Sequence, residues 1–186
     1  MIPARKMPAP KMEVRAATPA DVPGVIALHA AVASEGRWLG TEAPVDPDRF
    51  EAIFQRAIED DDSQLFVAVD GGTVVGNLGV HPVAIGIVSL GMSLAATHRG
   101  RGLGTELMAA AVEWSRQHGA HKMELEVWPH NTAAMALYRK CGFEDEGLRR
   151  RHYRRRNGEL WDIVVMGMVL DHDRAGGPPR EWFAES

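Results

Sequence analysis

The chain has 186 residues, 45% of them hydrophobic and 25% charged, and a formal net charge of -4. That length suits one domain with a sizeable core, and the acidic balance argues against generic nucleic-acid binding. A single cysteine, Cys141, excludes an internal disulfide framework and suits a reducing compartment, with the cytoplasm as the default, and no apolar run is long enough to span a bilayer.

Residues 1–11 contain proline and lysine without a hydrophobic signal core and read as a flexible N-terminal tail. Residues 12–17 alternate like a short strand. Thr18-Pro19-Ala20-Asp21 then supplies an N-cap, a proline at the first helical position and an acid, which predicts a helix to about Ala33. The turn-rich stretch 34–47 carries Glu35, Arg37, Trp38 and Glu42. Asp46-Pro47 repeats the cap-plus-proline signal ahead of a second helix ending near Glu59. Residues 64–69 and 73–80 flank Asp70-Gly71-Gly72, a tight hairpin signal, with Asn77, Gly79 and His81 interrupting the second strand.

Residues 88–94 are apolar and small, as expected of a buried strand, and a helix pattern begins at Leu103 and runs to about His118, ended by Gly119. Between them lie Gly100, Gly102 and Gly104. Three glycines let the main chain approach a ligand closely, and the first turn of the following helix has unpaired N–H groups pointing outward. With Arg99 and Arg101 beside them, this is an anion site suited to phosphate, or else an ordinary glycine-rich loop. Thr105 follows Gly104 with no lysine, against a nucleotide P-loop, and Gly-x-Gly-x-Gly is not the dinucleotide spacing.

Residues 121–127 form a strand with Met123, Leu125 and Val127 on one face and Lys122, Glu124 and Glu126 on the other, ended by Pro129. A third substantial helix spans 131–141, closed by Gly142, and two further strands are joined by the hairpin signal Asn157-Gly158. Residues 171–186 read as a polar C-terminal tail, leaving 12–170 as the domain. Eight histidines raise the question of a metal, but no cysteine or carboxylate cluster accompanies them at ligand spacing, so none is expected.

Arg99, Gly102 and Gly104 spell Arg-x-x-Gly-x-Gly, and here the chain resembles the GNAT superfamily of N-acetyltransferases. A second stretch, with Asn131, Ala134, Leu137, Tyr138, Gly142 and Phe143, is similar to the second signature of that superfamily. The spacing from Arg99 to Phe143, with Leu148-Arg149-Arg150 and Tyr153, is similar to the bacterial ribosomal-protein alanine N-acetyltransferases. The resemblance covers 88–169 well and the first half only in element order. One departure is Ala96, where many relatives have a proline at the strand-to-loop junction.

The resemblance implies an α/β (α+β) fold: a single domain with a mixed, mostly antiparallel sheet flanked by helices, and a splayed strand pair at the cofactor site. It implies acetyl-CoA as cofactor, and transfer of its acetyl group to a primary amine by direct attack. The pyrophosphate would lie on the backbone of Gly100, Arg101, Gly102, Leu103, Gly104 and Thr105, with the charge of Arg99 beside it. The pantetheine arm would run along Met92, Ser93 and Leu94 like an added strand, touched by the side chain of Asn131. Glu126 matches the carboxylate that takes the amine's proton, with Glu35, Glu42 and His81 in reserve, and Tyr138 matches the hydroxyl that protonates the leaving sulfur. As bare residues, Glu126 could equally be a paired strand carboxylate and Tyr138 a core aromatic. The 34–47 loop would border the acceptor, where Glu35, Trp38 and Glu42 could sort amines by shape and charge, though a tryptophan in a loop can also be a packing anchor.

The run Arg149-Arg150-Arg151-His152-Tyr153-Arg154-Arg155-Arg156 is the strongest local charge bias. Alone it suggests an acidic partner, so a non-catalytic acyl-CoA-binding or nucleic-acid-binding module is the alternative function. Because Glu159 and Asp162 follow the Asn157-Gly158 turn, arginines that pair across the hairpin or stay solvated are the favoured reading, and nucleic acid is not expected as a partner. The acceptor class, whether small amine, amino acid or protein N-terminus, is open, and edges at residues 88–94 and at the final strand could support a homodimer.

Overall fold

The computed structural model describes residues 12–170, and the expected tails, 1–11 and 171–186, lie outside the described residues. The elements follow in the order β1 (Glu13–Ala16), α1 (Val22–Ser34), α2 (Pro47–Glu59), β2 (Gln64–Asp70), β3 (Thr73–Ala84), β4 (Ile87–Leu94), α3 (Leu103–Gln117), β5 (Lys122–Val127), α4 (Thr132–Lys140), β6 (Glu144–Arg154) and β7 (Leu160–Val169).

The helix caps act largely as spelled. Asp46 accepts from the Asp48 and Arg49 amides at 3.1 and 3.3 Å and starts α2. Helix α1 starts later than expected, after a short 3-10 turn at Pro19–Asp21. There the Asp21 carboxylate reaches back to the Thr18 amide and hydroxyl, each at 2.8 Å, and is held from the other side by Arg15 at 2.8 Å to both oxygens. The paired guanidinium holds Asp21 well below the usual carboxylate range.

All seven strands form one sheet in the order β1-β2-β3-β4-β5-β7-β6. Gly71 and Gly72, with φ of 57° and 83°, make the two-residue turn between β2 and β3. Asn77, Gly79 and His81 do not interrupt β3. They pair in register with β2, β4 or both, and the strand continues past Pro82 to Ala84 before turning into β4. The ladder supplies main-chain bonds that low strand propensity at single residues does not prevent.

Every strand pair is antiparallel except β4–β5, which is parallel and ends after three residue pairs, Ile87↔Lys122 to Ser89↔Glu124. Beyond Ser89, β4 stays with β3 as far as Leu94, while β5 stays with β7 as far as Val127. The sheet therefore opens into a V at its centre. Strand β4 is not buried throughout: Val88 and Leu90 are buried and Gly91 is exposed. The final strand is not an edge either. Strand β7 lies between β5 and β6, so β1 and β6 close the sheet.

Two layers of side chains cover the sheet. On one face Leu78, Leu107, Met108, Met123 and Leu125 form the larger core, and on the other Val22, Val25 and Phe54 of α1 and α2 pack on Leu65 and Val67. Truncating a fully buried member such as Leu107 to alanine costs about 2–5 kcal/mol, a large share of any single domain's stability. The larger core takes in Val88 and Leu90 of β4 with Met123, Leu125 and Val127 of β5, and so holds the two arms of the V. Among the described residues, no helix is long and apolar enough to cross a membrane.

Candidate active site

The V opens into a cavity of about 530 Å³ that runs from the loop before α3 to the loop after α1. One end is made of main chain. From Leu90 onward the β5-facing edge of β4 has no strand partner, so its amides can donate to, and its carbonyls accept from, an extended ligand. Gly102 caps α3 with φ of 90°, and its carbonyl accepts from the Thr105 and Glu106 amides at 2.9 and 3.2 Å, leaving the amides before them without an intrahelical partner. At Gly100 and Gly102 the space where a Cβ would stand is open. The result is a cradle of exposed N–H groups at the positive end of a helix, which fits a pyrophosphate.

Of the residues expected to hold the cofactor, Met92, Ser93, Leu94, Arg99, Gly100, Gly102, Gly104, Thr105 and Asn131 line the cavity. Arg101 does not, and the Leu103 side chain is buried in the core. Asn131 caps α4 by accepting from the Ala134 amide at 3.3 Å, which leaves its side-chain NH2 free to donate. Arg99 is already engaged. Its Nε donates to the Leu94 carbonyl at 3.1 Å and its two terminal nitrogens grip Glu35 at 2.8 and 2.6 Å. Arg99 thus braces the loop, and the Leu94 carbonyl already has one donor.

Tyr138 projects from α4 into the cavity and is 8% exposed. Burial, with the nearby Cys141 thiol adding to it, pushes its hydroxyl up to about 12, so it keeps its proton through the neutral range. Glu126 reaches the cavity from the end of β5. Its carboxylate accepts from Arg149 at 2.7 Å and from the Tyr153 hydroxyl at 3.4 Å. A protonated hydroxyl and a carboxylate therefore line one cavity from different elements.

The other end of the cavity is walled by side chains: Trp38, Leu39 and Gly40 of the loop after α1, with Val32, Trp128, Tyr153 and Ile163. Trp128 meets Tyr153 and Trp161 edge to face at 5.0 and 5.2 Å. Of the expected acceptor residues, only Trp38 lines the cavity. Glu35 sits behind it, accepting from Trp38 Nε1 as well as from Arg99, and Arg99 draws its carboxylate below the usual range. Glu42 is turned away, bound by the Arg156 amide at 2.9 Å. His81, opposite Ser89 in the β3–β4 ladder, is not in the lining.

Most of the arginine run stays exposed, as expected, and Arg155 is the exception. Arg149 crosses to Glu126 on β5, and Arg155 is buried against the loop after α1. The hairpin turn holds three residues rather than two: the Arg155 amide donates to the Glu159 carbonyl, and Gly158 takes φ of 90° inside that bond. Trp128, Tyr153, Arg149 and Arg155 were not among the expected site residues. Trp128 has a local signal, standing two residues past Glu126 at strand period. Arg155 has none.

Main-chain cradle, splayed strands and a buried tyrosine opposite a carboxylate define an acyl-CoA-dependent transferase. The profile of the acetyltransferase (GNAT) family matches residues 31–143, more than half of the chain, and the chain belongs to that family. It is an acetyl-CoA-dependent N-acetyltransferase. It is 28% identical over 167 residues to an L-methionine sulfoximine/L-methionine sulfone acetyltransferase of Pseudomonas aeruginosa, covering 87% of this chain and 96% of that protein. The crystal structure of a ribosomal-protein-alanine N-acetyltransferase from Brucella melitensis superposes with a TM-score of 0.76 at 26% identity, over 84% of this chain and 99% of that one. A phosphinothricin acetyltransferase from Sinorhizobium meliloti, solved in complex with acetyl-CoA, has the same fold, with a TM-score of 0.79 at 22% identity over 91% and 94% of the two chains.

Proposed function

We propose that the chain acetylates the amine of a small acceptor of amino-acid size, with Glu126 as the proton acceptor and Tyr138 as the proton donor. The observation that carries this is the lining of the shared cavity: Glu126 and Tyr138 both line it, and residues 38–40 wall its acceptor end. A peptide needs an open groove for its chain beyond the first residue, and the aromatic wall of Trp38, Trp128 and Tyr153 favours a compact, partly apolar acceptor. The similarity to the methionine-derivative acetyltransferase, which extends over most of both chains, supports the same reading.

Acetyl-CoA supplies the thioester carbonyl that the amine attacks. An alkylammonium with a pKa of about 10 must first lose a proton near neutral pH, and Glu126, directly or through water, is placed to take it. Arg149 and the Tyr153 hydroxyl fix the carboxylate's direction. Tyr138, still protonated, gives its proton or a hydrogen bond to the departing sulfur. The free NH2 of Asn131 and the amides of residues 100–105 hold the ligand's arm and phosphates, and the free edge of β4 aligns the arm.

Thiol release with acetyl-CoA, measured against free amino acids, methionine sulfone and sulfoximine, polyamines, and peptides beginning with alanine or serine, tests the acceptor class. An amino-acid-sized amine is expected to exceed the peptides in kcat/KM by about 100-fold or more. Faster turnover on the peptides would overturn the reading.

A further inference from the structure

Arg155 differs from the other arginines of its run in being buried, with 4% of its surface exposed. Its Nη1 donates to the carbonyls of Leu39 at 2.9 Å and Gly40 at 3.4 Å, and its Nη2 donates to that of Gly36 at 3.4 Å. Its Nε lies 3.7 Å from the Glu42 carboxylate. The guanidinium plane lies over Trp161 at 4.3 Å and near Trp128 at 5.9 Å. Burying a charge is costly unless it is paired and hydrogen-bonded, and here carbonyl dipoles, a carboxylate and two aromatic faces share that work. All the carbonyls belong to the stretch between α1 and α2, which has no ladder of its own to hold it.

We propose that Arg155 is a positioning residue of the acceptor site: it holds residues 36–40 as a fixed wall and thereby sets the size of amine admitted. The pinned stretch presents Leu39 and Gly40 to the cavity. Gly40 lies directly against Tyr153, where a Cβ would stand 3.3 Å from the ring. Tyr153 in turn donates to Glu126, so one guanidinium stabilises both the wall and the aromatic ring that orients the carboxylate. The neighbouring Arg156 ties down the far side of the loop, donating from its amide to Glu42 and from its side chain to the Ala43 carbonyl at 2.8 Å. Only a planar fork of donors spans carbonyls set around a turn; a lysine ammonium keeps the charge but reaches fewer of them.

The claim about acceptor size rests on the small-acceptor function proposed above, whereas the dependence of the wall on Arg155 does not. Arg155→Lys and Arg155→Met in the full chain test both, with wild type alongside. Amide hydrogen exchange of residues 36–44 is expected to quicken in both variants. The acceptor KM is expected to rise by about tenfold or more, as when hydrogen bonds to a charged group are lost, while the acetyl-CoA Kd stays within about twofold. The preference for amino-acid-sized amines over peptides is expected to narrow. Unchanged exchange and unchanged KM in Arg155→Lys would overturn the proposal, as would acceptor KM and acetyl-CoA Kd rising together. If Arg155→Met does not fold, Arg155→Lys carries the test alone. If the wild type proves to prefer peptides, the small-acceptor reading falls, and quickened exchange at 36–44 with an altered peptide KM still upholds the positioning role.

Discussion

The two ends of the cavity are built by different means. The cofactor end is main chain, from the free edge of β4 and the amides before α3, and its parts lie close together in the sequence. The acceptor end is side chains brought from α1, the loop after it, β5, β6 and β7, with contacts such as Arg155 to Leu39 spanning more than half the chain. Backbone recognition tolerates many sequences as long as glycines keep the path open, so it suits a ligand shared by a whole family. Side-chain walls change with every substitution, so they suit what differs between members.

The largest expected effect falls where the two ends meet. Tyr138→Phe removes the donor without changing the shape of α4, and kcat is expected to drop by about 100-fold with the acetyl-CoA Kd unchanged. Because the Tyr138 hydroxyl is pushed up to about 12, the wild-type rate should not fall through loss of this proton anywhere near neutral pH. A pre-steady-state burst assay with acetyl-CoA titration separates the two constants. Equal turnover in the variant would remove Tyr138 from the chemistry.

Next in size is Glu126→Gln, expected to lower kcat/KM by about 10- to 100-fold. The glutamine keeps a partner for Arg149 and Tyr153, so the acceptor wall should hold and the acetyl-CoA Kd should be unaffected. Gly102→Ala probes the opposite end. At φ of 90° a Cβ is strained by about 1–2 kcal/mol, so acetyl-CoA affinity should weaken by about tenfold while selectivity among acceptors is retained. Isothermal titration for the cofactor and a competition assay for the acceptors check the two parts. A shift in acceptor preference in Gly102→Ala would break the division between the ends.

That division also decides what could be read from the sequence. The order of elements, the cap at Asp46, the Gly71-Gly72 turn and the glycine cradle all follow from neighbours within a few residues, and the structure has them where expected. The V between β4 and β5 follows from a resemblance carried by local motifs, and so does Tyr138 on α4. Glu35 and Glu42 were expected to face the acceptor, but their strongest partners lie far along the chain. Their partners, Arg99 and the Arg155-Arg156 pair, arrive only through the fold. Within the arginine run, Arg155 was hidden for the same reason: charge density is visible in one dimension, but the loop carbonyls that bury Arg155 are not.

The smallest effect tests whether the two ends are independent, because a single ion pair joins them. Arg99 leaves the cofactor loop to grip Glu35, which also accepts from Trp38 on the acceptor wall. Both partners are about one-third exposed, at 35% and 30% of their side-chain surfaces, so screening limits the pair to about 0.5–1 kcal/mol. Glu35→Gln is therefore expected to raise the acceptor KM and the acetyl-CoA Kd by only about two- to fourfold each. A cycle with Arg99→Gln should recover a coupling of similar size. The pair also carries a sign in pH. Arg99 draws the Glu35 carboxyl below its ordinary value, so the linkage is fully present above the usual glutamate pKa of about 4.3 and is lost as pH falls through the lowered one. Cofactor affinity measured with and without a bound acceptor should consequently show coupling at neutral pH that fades under acid and is absent in Glu35→Gln at every pH. Coupling that survives in the variant would mean that the ends communicate through the sheet itself, by the width of the V, and not through this contact.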